Sequence, residues 1–136
     1  MNKVIRLKTC WGLITLLLLT LTACDAVDPE QRRMAMHLPP SGFKGEAAQG
    51  EAAYQQNCVS CHGSRGQGSD QGPPLIHKTY RPAHHADLSF HMAAGDGVKQ
   101  HHWQFGDMPP QPNVTPEEMT HIIAWTRREQ RRAGIE

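Results

Sequence analysis

The run from Cys58 to His62 constrains this chain of 136 residues more than any other feature. It reads Cys-Val-Ser-Cys-His, so two thiols lie one helical turn apart and an imidazole follows the second thiol directly. This spacing is typical of covalent haem attachment, in which both cysteines bond to one porphyrin and the histidine is aimed at its iron. The alternative is a redox or zinc Cys-x-x-Cys pair followed by an incidental histidine.

The rest of the cysteine count favours haem over that alternative. The chain has four cysteines: Cys10, Cys24, Cys58 and Cys61. A zinc site would need a second ligand pair, and the sequence has no other Cys-x-x-Cys. A dithiol oxidoreductase would place its pair within alternating strands and helices, a pattern that this sequence lacks. The first two cysteines belong to an N-terminal leader, so we expect no disulfide.

Residues 1–23 are predicted to be a bacterial lipoprotein signal peptide. Three cations and no acidic residue precede the apolar stretch 11–21, which is shorter than the ~20 residues of a membrane-spanning helix. Residues 21–24 read Leu-Thr-Ala-Cys and resemble a lipobox, in which the chain is cut before the cysteine and its thiol is lipidated. We therefore predict lipidation of Cys24. The alternatives are an ordinary secretory signal cut near Ala23 and an uncleaved anchor.

The lipobox also predicts where the mature protein works. Covalent haem attachment of this kind takes place in bacteria outside the cytoplasm, which agrees with an exported chain. More than one acyl chain on Cys24 would give stable anchoring, because a single chain is marginal. Asp25 resembles the signal that retains lipoproteins at the inner membrane. We expect a protein anchored by lipid to the periplasmic face of that membrane.

The mature chain divides into a tether, residues 24–44, and a domain, residues 45–136. Removing the leader's three cations from the chain's 14 leaves 11 Lys and Arg against 13 Asp and Glu. No basic run indicates a nucleic-acid partner. The length fits one small domain, which we expect to be a monomer. The tether is predicted to be a flexible coil spanning roughly 25 Å. A copper-binding role for Met34, Met36 and His37 is the alternative to a plain linker.

Two strong helices are predicted, one before the haem motif and one at the C-terminus. Residues 46–57 are rich in helix formers, and the mid-helix Gly50 costs on the order of 1 kcal/mol relative to alanine, which indicates a packing role. Near the C-terminus Thr115 and Glu118 form a capping-box pattern, with proline at the first helical position. The arginines at 127, 128, 131 and 132 are interpreted as ordinary charges of a helix end, with a docking patch as the alternative. A further helix is predicted for residues 86–94.

From about residue 45 to residue 132 the chain resembles a class I cytochrome c domain, a small all-α fold whose N- and C-terminal helices cross over one haem. The family carries a glycine and, four residues later, an aromatic residue before the first haem cysteine; Gly50 and Tyr54 match this pattern. The glycine permits close crossing by the C-terminal helix, whose contacts match Ile122 and Trp125. The resemblance implies one covalently bound haem c, attached through the two cysteines of the motif.

The resemblance also implies the residues around the iron. His62 is the expected proximal ligand, and a proline carbonyl, assigned to Pro74, is expected to accept its other N–H. Leu75 is expected to pack on the ring. Met108, in a loop that resembles the family's Met-Pro loop, is the expected distal ligand. Trp103 is expected to cover the haem.

Other residues compete with Met108 for the distal position. Met92 and Met119 fit less well, because each lies within a predicted helix. A distal histidine is the main competitor, and the candidates are His84, His85, His91, His101, His102 and His121. The pairs 84–85 and 101–102 are also candidates for a docking surface or a copper site, against a plain packing role at the haem edge.

A His/Met iron has no open coordination position, so the resemblance implies an electron carrier rather than an enzyme. We expect redox proteins as donor and acceptor, bound through small interfaces, and no nucleic acid. Two alternatives stay open. One is a haem-based sensor or minor redox enzyme in which methionine leaves the iron, and the other is a copper-handling protein that uses the histidine pairs.

Overall fold

The computed structural model describes residues 28–136, so the predictions for the leader, Cys24 and Asp25 lie outside the described residues. Five helices and one short 3-10 turn follow in order: α1 Pro29–Ala35, α2 Ala47–Asn57, α3 Val59–His62, the turn Lys78–Tyr80, α4 Asp87–Asp96 and α5 Pro116–Arg132. The described chain contains no β-strand, and its isolated β-bridge joins Val98 to Met108. The predicted all-α fold is confirmed.

Helices α2 and α5 cross at Gly50, as the sequence predicts. A Cβ at this position would overlap the backbone carbonyl of His121, so only glycine allows the two backbones to approach this closely. One turn later the rings of Tyr54 and Trp125 pack together with their centroids 4.1 Å apart and their planes tilted by 30°. The buried core formed around this crossing consists of Tyr54, Phe90, Ala94, Met119, Ile122, Ile123 and Trp125.

The predicted capping box starts α5. The side chain of Thr115 accepts a hydrogen bond from the Glu118 N–H at 3.1 Å, and the Glu118 carboxylate accepts one from the Thr115 N–H at 2.9 Å. Two of the free N–H groups at the helix start are thereby satisfied. A cap of this kind contributes about 1 kcal/mol, which helps fix the start of the helix that packs across α2.

The structure contradicts the interpretation of Arg127 as an ordinary charge at a helix end. Its side chain is buried, and its guanidinium donates to the backbone carbonyls of Tyr80 and His85 and to the carboxylate of Asp87. The cation also lies 4.8 Å from the ring centroid of Phe90. Arg127 therefore ties α5 to the segment between the 3-10 turn and α4. Arg131 and Arg132 are exposed, as expected for ordinary charged side chains at a helix end.

The structure also differs from the flexible coil predicted before residue 45. Asp28 accepts a hydrogen bond from the Glu30 N–H and caps α1, whose first residue is proline. The Arg33 side chain then donates to the Pro39 carbonyl at 2.7 Å. His37 lies 2.9 Å from the carboxylate of Asp96, at the end of α4. Asp28 followed by Pro29 is a local helix-start signal that indicates α1.

No helix within residues 28–136 has both the length and the apolar character needed to cross a membrane.

Candidate haem site

The Cys-x-x-Cys-His motif forms a single helical turn at the end of α2. Cys58 lies between α2 and α3, and three backbone hydrogen bonds hold the turn: from the N–H groups of Cys61 and His62 to the Cys58 carbonyl, and from the Cys58 N–H to Tyr54. Cys58 is half-buried, Cys61 is exposed, and the two are not joined by a disulfide. Burial, together with the neighbouring Cys61, raises the pKa of the Cys58 thiol to about 11. Residues three apart on a helical turn share one side, so both thiols can meet one flat ligand.

The ring of His62 is buried, with 8% of the residue exposed. Its Nδ1 lies 2.8 Å from the backbone carbonyl of Pro73, so Nδ1–H donates to that oxygen and Nε2 keeps its lone pair. Burial lowers the pKa of His62, which favours the neutral ring that can bind a metal. A histidine oriented in this way, with one nitrogen engaged by a carbonyl, is typical of a metal ligand.

The prediction that Pro74 supplies this carbonyl is wrong, because the acceptor is Pro73. The motif Gly-Pro-Pro offers two neighbouring carbonyls, and the loop's register decides which one faces the imidazole. Gly68 sets that register by donating its N–H to the His62 carbonyl at 2.8 Å and by adopting a φ of +85°. A Cβ at Gly72 would also press against the backbone of Cys61. These contacts involve backbone geometry that the residue types alone do not specify.

The segment after the motif is fixed to the core from both sides. The Tyr54 hydroxyl donates to the Gly63 carbonyl at 2.6 Å, directly after His62. Leu75 packs against the core cluster, and its carbonyl accepts a hydrogen bond from Gln130 of α5 at 3.0 Å. The proximal side of the site is therefore held by α2 and α5 together.

The loop that carries Met108 is held by backbone pairing. Val98 and Met108 exchange two hydrogen bonds, N–H to carbonyl in both directions, each at 2.9 Å. Asp107 accepts hydrogen bonds from the Lys99 ammonium and from the Gln100 N–H, and the bond from Lys99 lowers the pKa of that carboxyl. Met108 itself is half-buried. Two chain segments thus fix this methionine, besides the prolines that follow it.

The competing ligands are placed differently. Met119 is buried in the core, and Met92 lies on α4 with 37% of the residue exposed. His121 accepts a hydrogen bond from the Glu46 N–H at 2.9 Å, and His91 is buried with Nε2 3.4 Å from the Thr120 hydroxyl. These two histidines are engaged between helices. The remaining four competitors, His84, His85, His101 and His102, cluster together.

Trp103 has a buried donor without a partner among the described residues. Its Nε1 is shielded from solvent, and its ring meets His77 edge to face with centroids 5.1 Å apart. A buried N–H without an acceptor is costly, so this indole is suited to an acceptor that belongs to a bound group, such as a haem propionate. Together these groups fit haem c: two thiols on one turn, an imidazole with a fixed lone pair, a restrained thioether and this indole.

The helical fold and this donor set define the class of small c-type haem proteins. A family model for cytochrome c matches residues 47–128, and the chain belongs to the cytochrome c family. The family's cofactor is covalently bound haem c, and its members carry electrons and are in general not enzymes. Its bacterial members are typically exported to the periplasm.

The solved structures that resemble this chain include two of cytochrome cL. The protein from Methylophaga aminisulfidivorans is 28% identical over 60% of this chain and 53% of its own, with a TM-score of 0.43. The protein from Hyphomicrobium denitrificans is 24% identical over 71% of this chain and 55% of its own, also with a TM-score of 0.43. The chain therefore spans about half the length of each. No curated relative matches the sequence.

Proposed function

We propose that this protein is a membrane-anchored mono-haem electron carrier whose haem iron is held by His62 and Met108. The observation that carries this proposal is the hydrogen bond from His62 Nδ1 to the Pro73 carbonyl at 2.8 Å. It leaves Nε2 as the single nitrogen available to iron, and it raises the basicity of the ring toward a metal. Cys58 and Cys61 are the attachment residues, on the turn that ends in His62.

The backbone pairing of Val98 with Met108 supports methionine as the second ligand. A ligand on a restrained loop loses less entropy when it is held against a metal than one on a free loop does. Asp107 adds to this restraint, because its carboxylate binds both Lys99 and the Gln100 N–H. With His62 and Met108 both bound to the iron, no position would stay open at the iron for a small substrate.

Bound haem supplies reversible one-electron chemistry, and a methionine ligand raises its reduction potential relative to a second histidine. The chain's own residues hold the ligands in place and exclude water from the proximal side, where His62 and Gly63 are buried. Cys61 is exposed, which supports a haem whose attached edge lies near the surface, where electrons can be exchanged. We propose other redox proteins as donor and acceptor, bound briefly through a small contact area.

Lipidation of Cys24 is the proposed membrane anchor, and the lipobox of residues 21–24 is the support for it. The segment 28–39 includes α1 and packs against the end of α4 through His37 and Asp96. Only a few residues would then separate the acyl chains from the folded domain. In this proposal the domain stays close to the periplasmic face of the inner membrane.

Intact mass spectrometry of the mature protein, extracted from membranes, tests both parts of this proposal. We expect a chain that begins at Cys24, with the added mass of acyl groups and of one haem. When Cys24→Ser is combined with an ordinary secretory signal peptide in place of residues 1–23, the protein should move to the soluble fraction and keep its haem. A mature mass without haem would contradict the electron-carrier proposal, and membrane retention of the Cys24→Ser variant would contradict the lipid anchor.

A further inference from the structure

Two histidine pairs that are far apart in sequence meet on the surface of the domain. One pair, His84 and His85, precedes α4, and the other, His101 and His102, precedes Trp103. The ring centroid of His102 lies 5.3 Å from that of His84 and 5.1 Å from that of His85. Four imidazoles thus share one small patch, which we call the histidine cluster.

From this arrangement we propose a binding site for a divalent transition-metal ion, with His84, His85 and His102 as ligands. One ring nitrogen of each of these residues lies within 4.8 Å of the others. Three imidazoles around one ion, with metal–nitrogen bonds of about 2.0–2.1 Å, require nitrogens about 3.3 Å apart. The rings therefore have to approach each other by roughly 1.5 Å at most. His84 and His102 are exposed and have room to rotate, while His85 is half-buried.

One ring nitrogen of His85 is already held by the backbone. Its Nδ1 lies 2.8 Å from the Thr79 carbonyl and donates to it, so the lone pair is on Nε2. Metal-binding histidines almost always donate their other ring N–H to such an acceptor. Arg127 holds the backbone here by donating to the carbonyls of Tyr80 and His85. The least mobile ligand of the proposed site is therefore fixed by contacts made before any ion binds.

His101 lies beside the three ligands and supports His102. Its Nδ1 is 2.8 Å from the Lys99 carbonyl, and its ring centroid is 4.3 Å from that of His102. His101 therefore packs against one of the proposed ligands and is not counted among them.

The donor set selects the kind of ion. Imidazole nitrogen suits Zn²⁺ and Cu²⁺, whereas Ca²⁺ and Mg²⁺ require oxygen ligands, which the three proposed ligands lack. For one set of nitrogen ligands Cu²⁺ binds more tightly than Zn²⁺. Three protein ligands leave a fourth position to water, so the site would hold an exchangeable ion at the surface. The proposal requires that none of these three histidines is the distal haem ligand.

The proposal is tested by titrating the mature holoprotein with CuSO₄ in one arm and with ZnSO₄ in another. The protein is purified without a polyhistidine tag. We expect one ion per protein in each arm, with the tighter affinity for Cu²⁺, and nitrogen couplings in the electron paramagnetic resonance spectrum of the Cu²⁺ form. The double variant His84→Ala/His102→Ala should weaken metal binding by at least ~100-fold. Replacing a residue that only hydrogen-bonds a metal ligand already lowers metal affinity ~10- to 100-fold, and here two ligands themselves are removed.

The control variant His37→Ala removes a histidine that contacts Asp96 outside the cluster, and it should keep the affinity of the unchanged protein. Equal affinity in the double variant and the unchanged protein would overturn the proposal, as would loss of binding in His37→Ala alone. The haem absorption spectrum should be the same in all variants. A double variant with an altered spectrum would show that these histidines serve the haem instead, and would also overturn the proposal.

Discussion

Gly50 lies directly against the backbone carbonyl of His121, so α2 and α5 cross with no side chain between them. Because these are the helices that carry the core aromatic pair and lead into the haem motif, this contact positions the proximal side of the site. A methyl group here would require the two helices to separate.

Replacing Gly50 by alanine is expected to lower the free energy of unfolding of the holoprotein. The added Cβ overlaps the His121 carbonyl, and overpacking of this kind costs about 1–3 kcal/mol. The helical preference for alanine offsets about 1 kcal/mol of that cost at most. Guanidinium unfolding monitored by circular dichroism measures the change. Gln56→Ala, at an exposed position of the same helix, should change stability by no more than about 0.5 kcal/mol. A Gly50→Ala protein more stable than the unchanged protein would contradict the close crossing.

Tyr54→Phe should destabilise the fold while it leaves haem attachment intact. The hydroxyl donates to the buried carbonyl of Gly63 at 2.6 Å, and its removal leaves that oxygen without this donor. The expected cost is about 1–3 kcal/mol, measured by the same unfolding experiment. Phenylalanine keeps the ring contact with Trp125, so a larger loss than this would mean that the ring packing had also changed.

Arg127→Met should destabilise the domain by at least ~2 kcal/mol. Methionine keeps much of the apolar stem, yet the carbonyls of Tyr80 and His85 lose the donor that now reaches them. Thermal unfolding of the holoprotein measures the effect. Arg131→Ala, which removes an exposed arginine of the same helix, should stay within about 0.5 kcal/mol. Equal effects of the two substitutions would contradict the buried role of Arg127.

His91 predicts a pH dependence of stability. It is 4% exposed and its Nδ1 has no hydrogen-bond partner among the described residues, and burial lowers its pKa below the ordinary 6.5. The unfolded chain therefore takes up this proton at a higher pH than the folded protein does. Between pH 6.5 and the lower folded pKa, acidification should reduce the free energy of unfolding, by at most about 1.4 kcal/mol per pH unit.

His91→Leu should remove this contribution. Denaturant unfolding at several pH values from 7 to about 5 gives the two pH profiles, and the unchanged protein should lose more stability than the variant over that window. His85, whose pKa is also lowered by burial, is present in both proteins and cancels in the difference. Parallel profiles would contradict the prediction.

Local signals in the sequence predicted α2, α4 and α5, whereas α1 lies in a segment predicted to be a flexible coil. The capping box at Thr115 specifies a helix start by itself, whereas the helix crossing at Gly50 is implied by the resemblance to cytochrome c domains, and both occur where expected. The helix predicted for residues 46–57 runs from Ala47 to Asn57. The capping box depends on two residues three positions apart, and the close crossing depends on a single glycine, the residue without a Cβ.

Contacts between distant segments were the part that the sequence did not predict. The pairing of Val98 with Met108 depends on the path of a loop, and the burial of Arg127 depends on carbonyls that face it from another segment. The choice of Pro73 over Pro74 depends on the loop's register. Each outcome follows from backbone geometry in three dimensions, for which residue type and spacing carry little information.

The central claim is that Met108 and His62 both bind the haem iron. The absorption spectrum of the ferric holoprotein tests this claim most directly. We predict the weak long-wavelength band of methionine–iron ligation in the unchanged protein and in the control Met92→Ala. We predict its loss in Met108→Ala, together with carbon monoxide binding by the reduced form and a lower reduction potential, because methionine raises the potential. The band's persistence in Met108→Ala, or its absence from the unchanged protein, would contradict the account.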